Sequence, residues 1–338
     1  MDLSIVIPVY NGQDCVQRSL DSILSLHMPS LSLEVIVVDD CSTDHTREVL
    51  EDYAGRYEEI SFISLPVNKK PGGARNAGIE RAKGEYILLL DADDTVAPGL
   101  VDALSYALDT GVEMLLCPHD YQPVFQGAFM SIQIDMPVHD PVEGKVFMDR
   151  YYVPNTMGSC YCYLYKGSYL KDLGHPFEEG VYYEDVDWVE HVAYHCPRIE
   201  YDPSVILSYY FTPGSIVNST NVTKEADIVL YCCRRMAFAH SVRNEAPHFY
   251  ENSLSHQGWI GSIIKFRHLT TFDYRSLRFF YDRIEGRQGF SWLRKLEWKG
   301  FTKMFVFHPK RAMALIDLCR PLLRAGRGLV HAVRNRKS

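Results

Sequence analysis

The 338-residue sequence lacks the motifs that mark several large protein classes. Its nine cysteines form no CxxC pair and its 13 histidines form no HExxH, so no zinc site is indicated. Its glycines match neither GxGxxG nor a P-loop, which argues against a dehydrogenase or a P-loop nucleotidase. No apolar run reaches the roughly 18 residues of a membrane-spanning helix. Internal repeats and low-complexity linkers are also missing, so the sequence predicts a globular protein.

The scattered cysteines and the amino-terminal segment favour a cytoplasmic protein. "MDLSIVIPVYNG" has no basic region before its apolar residues, so we expect no secretory signal peptide. Unpaired cysteine spacing suits buried thiols in a reducing compartment better than a disulfide framework.

The net charge of −8 conceals a basic carboxyl-terminal tail. Residues 290–338 hold 12 of the 35 basic and two of the 43 acidic side chains. Three hypotheses explain this tail. A basic amphipathic helix lies on an anionic membrane surface, which would make the protein peripheral on the inner face of the plasma membrane. Alternatively, the helix packs on the domain. Binding of nucleic acid is the third hypothesis, but no recognition motif supports it, so we expect none.

Apolar runs alternate with helical patterns over the first 117 residues. Such runs predict the strands of a mostly parallel α/β sheet with helices on both faces, at 3–9, 33–40, 60–65, 85–91 and 112–118. From about residue 224 helical patterns dominate. We therefore predict a Rossmann-like domain over 1–220 and a mainly helical region over 221–338, which includes the basic tail.

Acidic residues follow two of the predicted strands. "EYILLLDADDTV" turns from apolar to acidic at Asp91, Asp93 and Asp94, and "VVDDCSTD" carries Asp39 and Asp40. A lone DxD is usually a solvated turn. Parallel sheets, however, bind ligands outside the carboxyl ends of their strands. Mn²⁺ and Mg²⁺ prefer oxygen ligands, and a divalent ion would let an acidic site bind a substrate diphosphate.

Four segments in register carry a family resemblance: "SIVIPVYN", "VVDDCSTDHT", "GGARNAGIERAKGEYILLLDADD" and "EDVDW". Their order and spacing resemble the inverting family 2 glycosyltransferases with the GT-A fold, over roughly residues 3–215. The resemblance implies a hexosyltransferase-like enzyme that moves a sugar from a nucleotide sugar to a hydroxyl of a glycan or lipid-linked acceptor. It also implies a role in bacterial polysaccharide assembly.

The resemblance also implies a set of donor-binding residues. These comprise Pro8, Tyr10, Asn11, Asp40, Arg75, Asp91 and Ala92, with Asp93 on the metal ion. Tyr10 either stacks on the nucleobase or packs in the domain. Asp40 would accept a hydrogen bond from a base N–H, which suits UDP but also thymidine and guanosine nucleotides; we favour UDP. Asp94 either acts directly or caps the loop. Lys69 and Lys70 either bind diphosphate or are solvated.

An inverting transfer needs a base that takes the proton of the acceptor hydroxyl. The resemblance places this base at Asp185, with Glu184 beside it; the alternative is that both only cap a helix. Trp188 either packs in the core or forms a wall for a sugar ring. Ser215 would close near the diphosphate. His191 and His195 lie four residues apart, a spacing that suits a core or surface role more often than a metal site.

Two rival functions remain open at this point. A sugar nucleotidyltransferase would need a basic glycine-rich loop after the first strand, and "PVYNGQD" has none. A non-catalytic nucleotide-sugar or glycan-binding protein would not need both Asp93 and Asp185. The donor sugar, the acceptor and the linkage are not encoded in any motif of the sequence.

Overall fold

The computed structural model describes residues 1–122, 134–152 and 157–210, together with 227, 231, 234, 235 and 238–253. By its internal contacts the chain divides into Met1–Asn252 and Ser253–Ser338. The fold described below is that of the first unit. Ser215, the predicted boundary near residue 220 and the basic tail lie outside the described residues.

Strands and helices alternate in the amino-terminal half. The elements are β1 (Leu3–Val9), α1 (Val16–Leu24), β2 (Leu33–Asp39), α2 (Thr46–Arg56), β3 (Ile60–Ser64), α3 (Lys70–Arg81), β4 (Tyr86–Leu89), β5 (Thr95–Val96) and α4 (Gly99–Thr110). Shorter elements follow: β6 (Met114–Leu116), β7 (His119–Gln122), α5 (Gly144–Arg150), a 3-10 turn (Cys160–Cys162), β8 (Tyr163–Lys166), α6 (Gly167–Leu173), α7 (Glu184–His195), β9 (Ile199–Tyr201) and β10 (Leu207–Tyr210).

The main sheet has seven strands in the order β3-β2-β1-β4-β8-β6-β9. It is mostly parallel, as predicted; β8 alone among these strands runs antiparallel, and it pairs with both β4 and β6. Strand β1 explains the long apolar runs. Val6 faces one hydrophobic core, whereas Ile5 and Ile7 face the other, because successive side chains of a strand point to opposite faces.

A second sheet of three strands, in the order β5-β10-β7, lies beyond the carboxyl end of β4. In it, β10 runs antiparallel to β5 and parallel to β7. Across the described residues, no helix is long and apolar enough to cross a membrane.

The sequence pattern predicts a helix over 72–84 that ends at Gly84, and it predicts Ser42 or Thr43 as the cap of the helix that follows β2. Both details were wrong. Helix α3 spans Lys70–Arg81 rather than 72–84, and Gly84 does not end it. Gly84 instead touches β1, where an added Cβ would lie 2.4 Å from the Ser4 nitrogen. Helix α2 has His45 at its N-cap position rather than Ser42 or Thr43, and the Thr46 amide donates a 3.0 Å hydrogen bond to Asp44 Oδ1 just before it.

The contact between α3 and β1 yields a stability prediction. At Gly78, in α3, an added Cβ would lie 2.2 Å from Val6 Cγ1, so we expect Gly78→Ala to cost about 1–3 kcal/mol through overpacking. Gly55 in α2 is the matched control, because no atom lies within 4 Å of its added Cβ. Gly55→Ala should stabilise by about 0.5–1 kcal/mol, since alanine has the higher helix propensity. Urea unfolding of both variants tests this, and equal effects would contradict it.

Three histidine rings, those of His175, His191 and His195, form a row beside α7. The ring centroids are 3.8 Å apart for the first pair and 4.6 Å apart for the second. Burial, together with the neighbouring histidines, lowers the pKa of His191 to about 4. The pKa values of His175 and His195 are lowered by burial as well.

This row predicts a loss of stability in mild acid. The unfolded chain binds protons to histidine near pH 6.5, whereas folded His191 resists them down to about pH 4, so unfolding is favoured as the pH falls between these values. We expect the wild type to lose roughly 3–6 °C in Tm relative to His191→Leu between pH 7.5 and pH 5. Thermal melts of both proteins measure this. A constant Tm difference across that range would contradict the prediction.

Candidate active site

The loops after β1 and β2 are joined by hydrogen bonds. Asn11 has a positive φ of 51°, which lets its amide donate to Ser42 Oγ at 2.9 Å. Its side-chain Oδ1 accepts from the Thr43 amide at 2.8 Å. Asn11 therefore joins the two loops through its own amide and through its side-chain oxygen. Tyr10 projects beside it with half of its surface exposed, and Pro8 lies buried in β1 opposite Val38.

The two aspartates at the end of β2 serve different loops. Asp39 Oδ1 accepts from the Ser42 amide at 3.0 Å, within its own turn. Asp40 Oδ1 accepts from the Lys69 amide at 2.6 Å, and the Asn68 side chain donates to the Asp40 carbonyl at 3.0 Å. Burial raises the pKa of Asp40 despite the Lys69 hydrogen bond. Asp40 is therefore a buried carboxyl held at the start of α3.

The acidic turn after β4 divides its carboxylates between two environments. Asp91 keeps a third of its side chain exposed, and Ala92 and Asp93 are partly exposed. Asp94 is fully buried, and its Oδ1 accepts from the Tyr210 amide at 2.9 Å, so it joins the turn to β10. Burial, with Asp91 adding to it, raises the pKa of Asp94 to about 9. Asp94 is placed to hold the turn rather than to meet a ligand.

Arg75 lies buried between the acidic turn and helix α7. Its Nη2 donates to Asp91 Oδ1 at 2.7 Å, and its Nη1 donates to Glu184 Oε1 at 2.5 Å. Burial disfavours the charged guanidinium, but the nearby acidic groups raise the pKa of Arg75 well above its usual value. Its Nε has no hydrogen-bond partner among the described residues. Arg75 thus connects the two acidic centres that the sequence placed about a hundred residues apart.

Asp185 lies in the first turn of α7, next to this ion pair. Tyr183, at the helix N-cap two residues before Asp185, has a positive φ of 60°, and Glu184 is buried against Arg75. Asp185 is partly buried. Burial raises its pKa to about 7; Glu184 adds to this rise and Arg75 opposes it. A carboxyl with a pKa near 7 suits a general base at neutral pH.

Three side chains that the sequence offered as ligand contacts form contacts within the protein. Trp188 is buried, stacks on Phe177 at 4.0 Å and donates its Nε1–H to the His175 carbonyl, so it packs in the core. Lys69 Nζ pairs with Glu179 at 3.1 Å, and Lys70 Nζ donates to the Tyr182 hydroxyl at 2.9 Å. Both lysines therefore hold the loop that leads into α7.

Two further residues that contact the loops of the site were missed in the sequence. Arg18 of α1 donates to the Asp93 carbonyl at 2.5 Å, and its guanidinium lies 4.0 Å from the centre of the Tyr210 ring. Asn68 contacts Asp40. Neither stands in a motif, and only the helix spacing that puts Arg18 on the exposed face of α1 hinted at a surface role.

The acidic turn fits a divalent cation that is completed by a substrate. In the part of the chain that is described, no group of three or more His, Cys, Asp or Glu is arranged to hold a metal. Asp91 and Asp93 lie in one short turn and supply only oxygen donors. Mg²⁺ commonly binds through one or two carboxylates plus substrate phosphates. The donor set therefore suits Mn²⁺ or Mg²⁺ bound together with a diphosphate.

Comparison with known proteins gives one family match. The family model described as "Glycosyl transferase family 2" matches residues 4–174. A poly(ribitol-phosphate) beta-glucosyltransferase of Bacillus spizizenii is 46% identical over 97 residues, which is 28% of this chain and 15% of that protein. An uncharacterized glycosyltransferase of Escherichia coli, YibD, is 26% identical over 223 residues, which is 63% of this chain and 62% of that protein. The matched part of the chain thus spans less than two thirds of either relative.

Solved structures show the same fold. The Staphylococcus aureus protein TarS (residues 1–349, in complex with UDP-GlcNAc) superposes with a TM-score of 0.66 at 22% identity, over 97% of this chain and 88% of that one. The mannosyltransferase PcManGT from Pyrobaculum calidifontis, in complex with GDP-Man and Mn²⁺, gives 0.52 at 16% identity, over 98% and 85%. The fold of this chain is the GT-A fold, as predicted.

Proposed function

Since the chain belongs to glycosyl transferase family 2, we propose that it transfers a sugar from a UDP-sugar to a hydroxyl of a glycan or lipid-linked acceptor, with inversion. The observation that carries this proposal is the Asp91–Arg75–Glu184 ion-pair bridge. It brings the acidic turn, which suits a nucleotide diphosphate, next to Asp185, whose pKa of about 7 suits a base.

In the proposed reaction Asp185 accepts the proton of the acceptor hydroxyl. The acceptor oxygen forms its bond to the anomeric carbon while the bond from that carbon to the diphosphate oxygen breaks. UDP leaves on the opposite face with both electrons of that bond. A single displacement of this kind inverts the anomeric carbon, so an α-linked donor gives a β-linkage. Arg75 keeps Glu184 paired, which limits how far Glu184 raises the pKa of Asp185.

The donor side is assigned to the loops after β1, β2 and β4. Tyr10 offers an exposed ring for the base, and Asp40 lies between the loops where a base N–H would reach it. Asn11 and Pro8 shape this corner. Asp91 and Ala92 border the ribose. A divalent cation, when bound, supplies Lewis-acid stabilisation of the leaving diphosphate. Asp93 is the residue we assign to hold it, as Mn²⁺ or Mg²⁺.

The names of the related proteins guide the choice of donor and acceptor. TarS was solved with UDP-GlcNAc, and other relatives are named for poly(ribitol-phosphate), succinoglycan and teichuronic acid biosynthesis. We therefore place this chain in bacterial surface-polysaccharide assembly. The contribution of Ser215, the boundary near residue 220 and a peripheral membrane role of the basic tail remain predictions.

A donor panel tests the proposal. The purified protein is incubated with UDP-glucose, UDP-GlcNAc, UDP-galactose and GDP-mannose, with Mn²⁺, with Mg²⁺ or with EDTA, and released nucleoside diphosphate is measured. We expect slow UDP release from one UDP-sugar, dependent on the cation. Release of UMP or GMP, or consumption of a sugar 1-phosphate, would favour a nucleotidyltransferase instead. Tight binding of UDP without any turnover towards water or glycan acceptors would favour a binding protein.

A further inference from the structure

Helix α7, which carries Asp185, is held by arginines from two distant parts of the chain. Three of the four acidic residues at its positions 184, 185, 187 and 190 form ion pairs: Glu184 with Arg75, Asp187 with Arg234, and Glu190 with Arg235. Within the described residues Asp185 forms no ion pair. The helix is therefore neutralised around Asp185 while this carboxyl itself stays available.

Arg234 makes the most extended of these contacts. Its Nε donates to Asp187 Oδ2 at 2.6 Å and its Nη2 donates to Asp187 Oδ1 at 3.0 Å, so the two groups meet edge to edge. Its Nη1 also donates to Glu178. Glu178 lies in the loop before α7 and Asp187 lies in the first turn of the helix. One guanidinium thus connects both sides of Asp185 along the chain.

The loop that Arg234 holds has further contacts to the donor side. The Gly180 amide donates to the Lys69 carbonyl at 2.8 Å, and the Lys69 amide in turn donates to Asp40. At Gly72 of α3 an added Cβ would lie 2.6 Å from the Glu178 carbonyl oxygen, so the loop lies directly on the helix. The loop therefore touches the proposed base-binding corner at one end and Asp185 at the other.

The segment between Glu178 and Asp187 includes a strained residue. Tyr183 adopts φ of 60°, a conformation that costs roughly 1–2 kcal/mol for a residue with a Cβ. Surrounding contacts must supply this energy. Asp227 contributes one of them, since its Oδ2 accepts from the Tyr182 amide at 3.1 Å. Arg234 and Asp227 lie seven residues apart in the chain, and both form hydrogen bonds to the segment between Glu178 and Asp187.

We propose that Arg234 is a positioning residue for the transfer reaction. By bridging Glu178 and Asp187 it fixes the backbone that presents Asp185 to the acceptor hydroxyl. This inference rests on the proposed function of Asp185. Arginine is required because its planar fork meets the Asp187 carboxylate through two parallel hydrogen bonds and still reaches Glu178. A lysine is a single point charge and holds only one of these partners in a defined geometry.

The test compares Arg234→Lys and Arg234→Met with the wild type, with UDP-GlcNAc and UDP-glucose as donors. We expect kcat for UDP release to fall roughly 10- to 100-fold in both variants, because small misplacement of a catalytic group has effects of this size. The donor KM should change by a smaller factor than kcat, since Arg234 contacts Asp187 and Glu178 directly but reaches the donor loops only through the Gly180–Lys69 contact. Hydrogen exchange of the amides of residues 178–187 should become faster.

The neighbouring pair of Arg235 and Glu190 provides the control. It joins the same stretch to the same helix, but it is buried and lies one helical turn further along α7, at Glu190 instead of Asp187. The double variant Arg235→Met/Glu190→Gln removes both charges together, so no buried charge is left unpaired. We expect its Tm to change while kcat stays within about threefold and the 178–182 amides stay protected.

Two results would overturn the proposal. One is unchanged kcat and unchanged exchange in Arg234→Lys. The other is an equal loss of kcat in the Arg235/Glu190 control, which would indicate a general packing effect. The exchange measurement needs no turnover. It therefore tests whether Arg234 holds the 178–187 segment even if the wild type releases no UDP from either donor. Loss of activity in Arg234→Lys alongside a fully active Asp185→Asn would instead contradict the proposed base.

Discussion

Asp185→Asn should release UDP at least about 10³-fold more slowly than the wild type, while binding UDP with nearly unchanged affinity. Asparagine keeps the size and the hydrogen-bonding shape of the side chain but cannot accept a proton from the acceptor hydroxyl. General base catalysis contributes about 10²–10⁴-fold in enzymes, and a loss of about 10³-fold lies within this range. Calorimetric titration of UDP with Mn²⁺ gives the affinity, and coupled UDP detection gives the rate.

The pH dependence gives an independent check on the same residue. Burial and the adjacent Glu184 raise the pKa of Asp185 to about 7. Only the deprotonated carboxylate acts as a base, so kcat should rise with pH through about 7 and then level off. In Asp185→Asn the residual rate should lose this dependence. A variant with the same pH profile as the wild type would show that another group titrates.

The stability of Asp185→Asn separates a catalytic loss from misfolding. The folded pKa of Asp185 lies above its unfolded value, so its ionisation opposes folding as the pH rises from about 4 towards 7. Removing the charge should therefore leave the Tm equal or higher at pH 8. A Tm clearly below that of the wild type would mean that the lost activity reflects damage to α7, and equal loss of UDP affinity would count against a base role.

The sheet was predictable because parallel strands that are buried on both faces have nearly continuous apolar sequences. Residues such as Val6 and Ile7 follow one another without polar alternation, which predicts a strand covered on both faces but not its place in the sheet. The insertion of β8 between β4 and β6 was not predictable in the same way. Its partners lie some 50 and 80 residues away, and the pattern of a four-residue strand does not encode its neighbours or direction.

The residues of the candidate site also differ in how far the sequence predicts them. Asp91 and Asp93 follow a strand end, where topology alone predicts a ligand crevice. Arg75 was expected near the nucleotide, but its contacts with Asp91 and Glu184 depend on how the loop before α7 packs on α3. No local pattern records that packing. For the same reason the sequence could not decide whether Trp188 forms a wall for a sugar ring or packs in the core. Its stacking on Phe177 shows that it packs in the core.

Asp93→Ala should lose the increase in UDP affinity that Mn²⁺ gives the wild type, and its rate of UDP release should fall roughly 10²–10³-fold. Asp93 is partly exposed in the turn after β4, where Arg18 donates to its carbonyl, and it is the carboxylate that we assign to the cation. Without this carboxylate the turn keeps only Asp91, which is already paired with Arg75, so the cation is held less tightly and less of the diphosphate charge is neutralised. Effects of this size are typical when a charge that stabilises the leaving group is lost.

Asp94→Asn is the matched control for this experiment, since it changes a carboxylate one position further along the same turn. Asp94 is buried and uses Oδ1 to accept from the Tyr210 amide, an acceptor role that the asparagine carbonyl retains. We expect Asp94→Asn to keep Mn²⁺-dependent UDP binding within about threefold of the wild type. Calorimetry with UDP in Mn²⁺ and in EDTA reads out binding without turnover. If Asp93→Ala binds UDP–Mn²⁺ like the wild type while Asp94→Asn does not, the cation is held by Asp94, and the division of the turn into a ligand and a structural carboxylate is wrong.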